Sequence, residues 1–246
     1  MGRLAVTVPV LNQYGWTSCI CHELFIKTAN PCPKIIVDNA STEGNLFWLY
    51  EKIDGKNGFM VVRNETNRGV SGAWNQAVEI ARQIGVEFLS IMNNDLVLPR
   101  AWDEIMLEPF ENPNVDVTSI SPGDKPFFCP FCFTVRMSLF DRIGLFDETI
   151  GLYGGEDIDF MLRMKEAGIK FVNIRAAKHP EFFHAGSQSC SELFDTEDEH
   201  RKFISDYEIR LRNKWSQRLG LAHDFNIWDY IAKDDRKELT NNRSYS

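Results

Sequence analysis

Short apolar runs alternate with stretches of helical spacing through the first half of the chain. The apolar runs predict four β-strands, over Leu4–Val10, Lys34–Asp38, Phe59–Val62 and Glu87–Met92. Between them, apolar residues at intervals of three and four predict helices over Thr17–Thr28, Asn45–Ile53 and Ser71–Ile84, the last with Ser71 as its N-cap and Gly85 as its stop. This alternation favours an α/β fold in which helices cover both faces of a mostly parallel, twisted sheet.

The second half of the chain has a different pattern. Val115–Ser121 and Phe127–Arg136 predict two strands with no helix between them. Asp157–Ala167 predicts a helix that ends at Gly168, and Lys170–Ile174 predicts one further strand.

A long charged helix is predicted over Asp195–Leu219. Its apolar residues form a single stripe, made of Phe203, Ile204, Tyr207, Leu211 and Trp215. Packing of this stripe on the rest of the protein is the simplest interpretation, and a dimer or membrane-surface contact is the alternative. No Pro/Gly/Ser linker divides the chain, so we predict one α/β domain over residues 1–190 and a helical extension, residues 191–246, packed on the same domain.

Composition and charge exclude several classes of protein. The 246 residues include 27 Lys and Arg and 35 Asp and Glu, which give a formal net charge of −8 at pH 7. An acidic chain without a long basic run argues against nucleic acid as a partner. No apolar stretch approaches the roughly 20 residues that span a bilayer, so we predict no transmembrane segment. The oligomeric state is left open by the sequence.

The cysteines and glycosylation sequons bear on the compartment. Cys129 and Cys132 have the spacing of a metal or redox pair, but they lie in an aromatic, strand-like run, which favours buried structural thiols. Two sequons, which begin at Asn39 and Asn64, fall in the ligand site predicted below. Because a glycan there would block the site, we expect a cytoplasmic location, in a cell or a virus-infected host, with peripheral membrane contact as an alternative.

Candidate ligand-binding residues lie where the four predicted parallel strands end, which is where ligands bind in such sheets. They are Pro9, Val10 and Asn12, then Asp38, then Asn67, Arg68 and Gly69, and finally Asn93 and Asn94. Turn capping explains any one polar residue here, but explains polar residues at all four strand ends less well. Gly69 and Gly72 could bring backbone N–H groups close to a phosphate, although their spacing matches neither a P-loop nor a Rossmann fingerprint.

Asp95 and His184 are the candidate metal ligands. A divalent cation that carries substrate phosphates needs only one or two protein carboxylates, and Asp95 offers one at a strand end. The imidazole of His184 would suit Mn²⁺ or Mg²⁺ and favour Mn²⁺. Taken alone, a histidine in a loop is usually not a ligand.

The candidate catalytic residues are Asp157 and Glu156, which follow two glycines at the start of a predicted helix. Acidic residues are favoured in a first helical turn by the helix dipole, and this is the structural explanation. A carboxylate that faces a pocket is also what a general base requires. The dipole and backbone donors are expected to keep Asp157 ionised at neutral pH.

Six motifs in order resemble those of family-2 type glycosyltransferases with the GT-A fold. They are Val8–Asn12, Val37–Thr42, Asn67–Asn75, Asn93–Asp95, the acidic stretch from Phe146 to Phe160, and His184–Ser189. Within that family the chain is most similar to rhamnosyltransferase-like members and to members encoded by viruses or phages. Two positions depart from the pattern, because Asn93 replaces the first Asp of the usual metal motif and Leu11 stands where an aromatic residue often stacks on the base.

The resemblance implies a role for each motif. Asp38 would bind the nucleotide base, Asp95 and His184 would bind the metal, and Asp157 would be the base of an inverting transfer. The implied reaction moves a sugar from a nucleotide-diphosphate donor, UDP-type as the first hypothesis, to a hydroxyl of a glycan or glycoconjugate. A nucleotidyltransferase and a non-catalytic sugar- or partner-binding protein remain as alternatives.

Overall fold

A computed structural model describes residues 3–121, 128–175, 178–186 and 196–231. Its strands are β1 (Leu4–Val10), β2 (Lys34–Asp38), β3 (Phe59–Arg63), β4 (Phe88–Met92), β5 (Leu96–Val97), β6 (Val117–Ser121), β7 (Cys132–Arg136), β8 (Phe171–Arg175) and β9 (Phe183–His184). Its helices are α1 (Tyr14–Lys27), α2 (Gly44–Ile53), α3 (Gly69–Ile84), α4 (Trp102–Leu107), α5 (Leu139–Ile143), α6 (Glu156–Glu166) and α7 (Glu197–Leu219). A 3₁₀ turn covers Glu108–Glu111, and residues 227–231 are helical.

Seven strands form one sheet in the order β3-β2-β1-β4-β7-β6-β8. Strands β1 to β4 pair in parallel, β7 runs antiparallel to both of its neighbours, and β8 is parallel to β6. The mostly parallel sheet that the sequence predicts is therefore confirmed. A separate antiparallel pair, β5 with β9, was not predicted from the sequence, because two-residue strands have no periodicity to detect.

Helices cover both faces of the sheet because its strands are apolar on both sides. In β1, Ala5 packs with the cluster that contains α3, α6 and α7, whereas Val6 and Val8 pack with the cluster that contains α1, α2 and α4. In the described ranges, no helix has the length and apolar character that crossing a membrane requires.

The start of α3 differs from the prediction. Ser71 lies inside the helix instead of capping it, and the residue before the helix is Arg68. The helix begins at Gly69, where the backbone N–H of Val70 donates a hydrogen bond to the Leu152 carbonyl at 2.8 Å. A contact with a distant loop therefore replaces the side-chain cap that the local sequence favoured.

The C-terminal helix α7 packs on the main core. Thr196 and Glu199 form a capping box at its N-terminus, and Leu211 and Trp215 are fully buried in the cluster that contains α3 and α6. The predicted start at Asp195 and the predicted domain boundary near residue 190 lie outside the described residues.

The cysteines of the described ranges form no disulfide with one another. Cys21, Cys32 and Cys132 are buried, whereas Cys19 and Cys129 are partly exposed. Burial raises the pKa of Cys21 to about 12 and that of Cys32 to about 11, so both are protonated and unreactive at neutral pH. Thus Cys132 is the buried structural thiol that the sequence predicts, whereas Cys129 is exposed in part.

Candidate active site

Asp95 and His184 meet at the end of β4. Because β5 pairs with β9 in the register Leu96 opposite His184, the imidazole lies beside the preceding residue, Asp95. Asp95 Oδ1 is 3.2 Å from His184 Nε2, and Phe131 stacks on the imidazole with ring centroids 4.5 Å apart. The Asp95 side chain is 2% exposed and that of His184 is 21% exposed, so the pair forms a largely enclosed site with one open side.

The donor set of this pair fits a divalent cation. It offers one carboxylate and one imidazole, and among the described residues no group of three His, Cys, Asp or Glu side chains is arranged to hold a metal ion. A cation held here would complete its coordination with ligands such as diphosphate oxygens, as Mn²⁺ and Mg²⁺ do in many nucleotide sites.

The two asparagines before Asp95 have different surroundings. Asn93 Nδ2 lies 3.3 Å from His184 Nε2, so this residue contacts the candidate metal ligand. Asn94 is buried and donates from Nδ2 to Thr17 Oγ1 at 3.2 Å, a contact that joins the end of β4 to α1. Contact between either side chain and a nucleotide stays a prediction.

The candidate residues at the end of β1 form a braced loop. Val10 is buried at the end of the strand and Pro9 is partly exposed. Asn12 has a left-handed backbone, with φ 53°, and its N–H donates to Ser41 Oγ at 2.7 Å while its Oδ1 accepts from the N–H of Thr42 at 2.8 Å. Asn12 therefore ties the loop after β1 to the loop after β2.

Asp38 is completely buried at the end of β2. Its Oδ1 accepts from the N–H of Ser41 at 2.8 Å, and its Oδ2 accepts from Arg63 Nε at 2.8 Å. The Arg63 side chain is 44% exposed, and its guanidinium lies 4.0 Å from the centre of the Phe47 ring. The solvent-facing group at this strand end is therefore Arg63. The sequence analysis missed this residue, although Arg63 ends β3, the neighbour of the strand that carries Asp38.

A network of side-chain amides shapes the loop before α3. Asn39 Nδ2 donates to Asn67 Oδ1 at 2.7 Å, and Asn39 Oδ1 accepts from the backbone N–H of Arg68 at 2.9 Å. Gly69 has φ 73°, and a Cβ atom added there would lie 2.8 Å from the Leu152 Cα. Glycine is therefore required where this loop touches the segment that leads to α6, so the strand-end loops and the acidic motif are in direct contact.

Glu156 and Asp157 begin α6, as the sequence indicates. Glu156 is buried and Asp157 is half-buried, so Asp157 is the more accessible of the two carboxyls. Burial, and then the charge of Asp157, raise the pKa of Glu156 to about 8. Glu156 is therefore mainly protonated at neutral pH.

One expectation about this helix start needs correction. Burial raises the pKa of Asp157, although backbone N–H groups of Ile158 and Asp157 oppose the shift, so the helix start does not lower the pKa as the dipole argument implied.

Gly154 and Gly155 make room for α7. A Cβ atom added at Gly154 would lie 2.7 Å from Tyr207 Cε1, and one added at Gly155 would lie 2.7 Å from Leu211 Cδ1. Their need for glycine is explained by this helix contact.

A family comparison agrees with the motifs in the first half of the chain. Residues 10–127 match the family model described as glycosyl transferase family 2. A search by sequence among curated proteins found no significant match. The matched range begins at the last residue of β1 and contains β2 to β6. It includes every candidate nucleotide-binding residue except Pro9, while Asp157 and His184 lie beyond it.

Three solved structures share the fold. One is a mannosyltransferase from Pyrobaculum calidifontis in complex with GDP-Man and Mn²⁺, with a TM-score of 0.58, 18% identity, and coverage of 70% of this chain and 55% of that chain. Another is GalNAc-T7 with UDP, GalNAc and Mn²⁺, with a TM-score of 0.62, 15% identity, and coverage of 98% and 57%. The third is S. aureus TarS, with a TM-score of 0.57, 17% identity, and coverage of 93% and 77%.

These similarities confirm the GT-A fold, with its mixed sheet flanked by helices. The alignments cover 55% and 57% of the first two chains, so this protein spans a little over half of their length. The name of none of the three mentions rhamnose, and the rhamnosyltransferase resemblance stays a prediction.

Proposed function

We propose that this chain is a glycosyltransferase that transfers a sugar from a nucleotide-diphosphate donor to an acceptor hydroxyl with inversion. The family-2 match over residues 10–127 and the fold support this proposal. The observation that carries the proposal is the meeting of Asp95 and His184 at 3.2 Å beyond the end of the parallel strand β4. A carboxylate and an imidazole at that position suit a cation that carries a diphosphate. The proposed cation is Mn²⁺, with Mg²⁺ as its substitute.

Asp95 and His184 would hold the cation, with Asn93 beside the imidazole. When bound, Mn²⁺ supplies positive charge that stabilises the leaving nucleoside diphosphate. Phe131 keeps the imidazole plane in place by stacking, and burial of Asp95 excludes water from one side of the pair.

The donor nucleotide is proposed to lie across the ends of β1, β2 and β3. In this arrangement Asp38 accepts hydrogen bonds from Ser41 and Arg63 and so keeps both in place. Arg63 presents its exposed guanidinium edge to the base. A guanidinium donates hydrogen bonds only, so it favours a base with carbonyl oxygens on that edge, such as uracil or guanine. UDP-sugars are the first donors to test, and GDP-sugars are the next.

Asp157 is the proposed general base. Its carboxylate takes the proton of the acceptor hydroxyl while the acceptor oxygen forms a bond to the anomeric carbon. The bond from that carbon to the diphosphate oxygen breaks on the opposite face, its electron pair stays on the departing nucleoside diphosphate, and the configuration is inverted. The raised pKa of Asp157 makes it a stronger base than an exposed carboxylate, which suits proton removal near neutral pH.

The acceptor is proposed to be a hydroxyl of a glycan or glycoconjugate. The contact between Val70 and Leu152 brings the donor loop next to the segment that carries Asp157, so both substrates can reach one site. This arrangement supports transfer between two bound substrates.

The experiment is a panel of nucleotide sugars with Mn²⁺, first by thermal shift and then by product analysis. A ligand at about 100 times its dissociation constant stabilises the fold by about 2.7 kcal/mol, which such a shift detects. We expect free nucleoside diphosphate to be released faster when a glycan acceptor is present. Release of sugar 1-phosphate would indicate a nucleotidyltransferase, and binding without any release would indicate a non-catalytic protein.

A further inference from the structure

The segment that carries the proposed base is shaped by α7. This acidic segment, residues 147–159, contains no helix or strand before α6 begins at Glu156. Arg210 Nε donates to the Ile150 carbonyl at 2.5 Å, and Tyr207 and Leu211 pack directly on Gly154 and Gly155. The helix α7 therefore contacts the acidic segment at several points between Ile150 and Gly155.

One lysine of α7 joins the two ends of this segment. Lys214 Nζ lies 2.6 Å from Asp147 Oδ2 and 2.5 Å from Asp159 Oδ1. Asp147 is the first residue of the segment and Asp159 is its last. A single ammonium group therefore fixes the separation between the start of the loop and the first turn of α6.

The Asp159 end of this bridge is rigid. Its carboxylate is completely buried and also accepts hydrogen bonds from Trp215 Nε1 at 3.0 Å and from Arg163 Nε at 2.8 Å. Trp215 is fully buried beside Lys214 on the same helix. Asp159 is thus held by α7 and α6 together, in a network with few alternative arrangements.

The Asp147 end is held by charge and hydrogen bonds. Burial acts to raise the pKa of Asp147, but hydrogen bonds from Lys214 and Thr149 prevail and lower it to about 2. Asp147 is therefore ionised throughout the neutral range and remains paired with the ammonium group.

The same helix reaches the carboxyl pair itself. Burial first, and then the charges of Glu208, Asp157 and Glu156, raise the pKa of Tyr207 to about 12. Tyr207 is therefore a neutral side chain close to both carboxyls. It lies one helical turn before Leu211 and two turns before Lys214.

We propose that Lys214 is a positioning residue for acceptor transfer: by joining Asp147 to Asp159 it fixes the acidic segment in the shape that places Asp157 in the acceptor site. This inference rests on the proposed function for the role of Asp157. The bridge itself is independent of the identity of the donor, the acceptor or the metal.

The test compares three variants of the full chain. Lys214→Met keeps the length of the side chain but removes the charge, and Lys214→Arg keeps the charge. Arg212→Met is the matched control, because Arg212 lies on the same helix and pairs only with Glu208, at 3.8 Å, among the ion pairs of the described residues. Hydrogen–deuterium exchange of residues 147–159 is measured in each protein without substrate, and donor and acceptor kinetics are measured separately.

For Lys214→Met we expect faster exchange in the acidic segment and a loss of acceptor kcat/KM of about tenfold or more, because a small misplacement of a catalytic group is costly. The donor KM should change less than about twofold. Lys214→Arg should recover most of the acceptor kcat/KM, and Arg212→Met should resemble the unaltered protein. Unchanged exchange in Lys214→Met, or equal losses for donor and acceptor, would overturn the proposal.

A fourth variant, Asp147→Asn, tests the proposal if Lys214→Met does not fold. Asp147→Asn removes one arm of the bridge at a partly exposed position and leaves the Lys214–Asp159 contact in place. It should speed exchange in residues 148–155 and lower acceptor kcat/KM in the same direction. Unchanged exchange here would equally overturn the proposal. If no nucleotide sugar is a substrate, the proposed function fails, while the exchange data still decide whether Lys214 fixes the segment.

Discussion

Asp95 Oδ1 and His184 Nε2 lie 3.2 Å apart, although the two residues are far apart in the sequence. The short antiparallel pair of β5 and β9 brings them together, and the Ala185 N–H extends this pairing by a hydrogen bond to the Asp95 carbonyl at 3.0 Å. The candidate metal site thus depends on a contact between the end of β4 and a loop that follows β8.

If Asp95 and His184 share one cation, metal removal should weaken nucleotide binding. We expect Mn²⁺ to tighten nucleoside diphosphate binding, and Asp95→Ala or His184→Ala to abolish that gain, because each removes one of two protein ligands. Titration calorimetry with Mn²⁺ and with EDTA measures the effect. Asp141→Asn, at an exposed carboxylate paired with Arg82, is the control. Equal affinity in Mn²⁺ and EDTA for the unaltered protein would disprove a shared cation.

Asp157→Asn should remove catalysis and leave donor binding intact. The substitution keeps the shape of the side chain and eliminates the basic oxygen, so turnover should fall by roughly 10²–10⁴-fold, the usual contribution of a general base. Affinity for nucleoside diphosphate with Mn²⁺ should change little. Steady-state transfer and calorimetry together give the result.

Glu156→Gln is the companion variant, because Glu156 is already mainly protonated at neutral pH. It should retain much more transfer than Asp157→Asn. The reverse order of activities would assign the base to Glu156, and near-normal transfer by both variants would refute the inverting mechanism at this site.

Stability should fall as the pH rises through the range in which Glu156 ionises. Its pKa is about 8 in the folded protein and 4.5 in an unperturbed side chain, so the folded state binds the proton more tightly. The stabilisation is complete below pH 4.5 and is lost as the pH rises towards and through 8. Urea unfolding across this range should show a decline that Glu156→Gln reduces. A parallel decline in both proteins would show that Glu156 is not the group responsible.

Arg63→Gln should weaken nucleotide binding by about tenfold, because it removes charged hydrogen-bond donors from the proposed base site. The loss should be the same in Mn²⁺ and in EDTA, since the base site and the metal pair are separate. Arg82→Gln is the matched control, because Arg82 is also a partly exposed arginine paired with carboxylates, on α3. Calorimetry that shows equal affinity for Arg63→Gln and the unaltered protein would remove Arg63 from the site.

Gly155→Ala should destabilise the fold by about 1–3 kcal/mol more than Gly168→Ala does. Both glycines have positive φ, 85° and 64°, so both substitutions carry similar backbone strain. An added Cβ at Gly155 would meet Leu211 Cδ1 at 2.7 Å, whereas nothing lies within 4 Å of one at Gly168. The difference in unfolding free energy, measured in urea, therefore isolates the packing of α7 on the acidic segment. Equal losses would contradict that packing.

The order of strands and helices in the first half follows from hydrophobic patterning alone. The runs Leu4–Val10 and Lys34–Asp38 have the same bounds in the structure as in the prediction, because buried parallel strands are continuous apolar runs between polar turns. Asp38, Asp95 and Asp157 are also candidates from the local sequence. Each is a carboxylate that ends or follows a predicted strand or begins a predicted helix. Their family roles came from the order of six motifs along the chain.

The contacts of these side chains depend on how the elements pack in three dimensions. The Asp38 carboxylate binds Arg63 because β2 and β3 are neighbours in the register Asp38 opposite Arg63, a pairing that neither strand encodes alone. Gly155 is needed because α7 approaches within contact distance, and Lys214 reaches Asp147 and Asp159 across more than fifty residues of sequence. Hydrophobic periodicity reports which face of an element is buried, but the partner of a polar side chain depends on distances that exist only after the elements have packed.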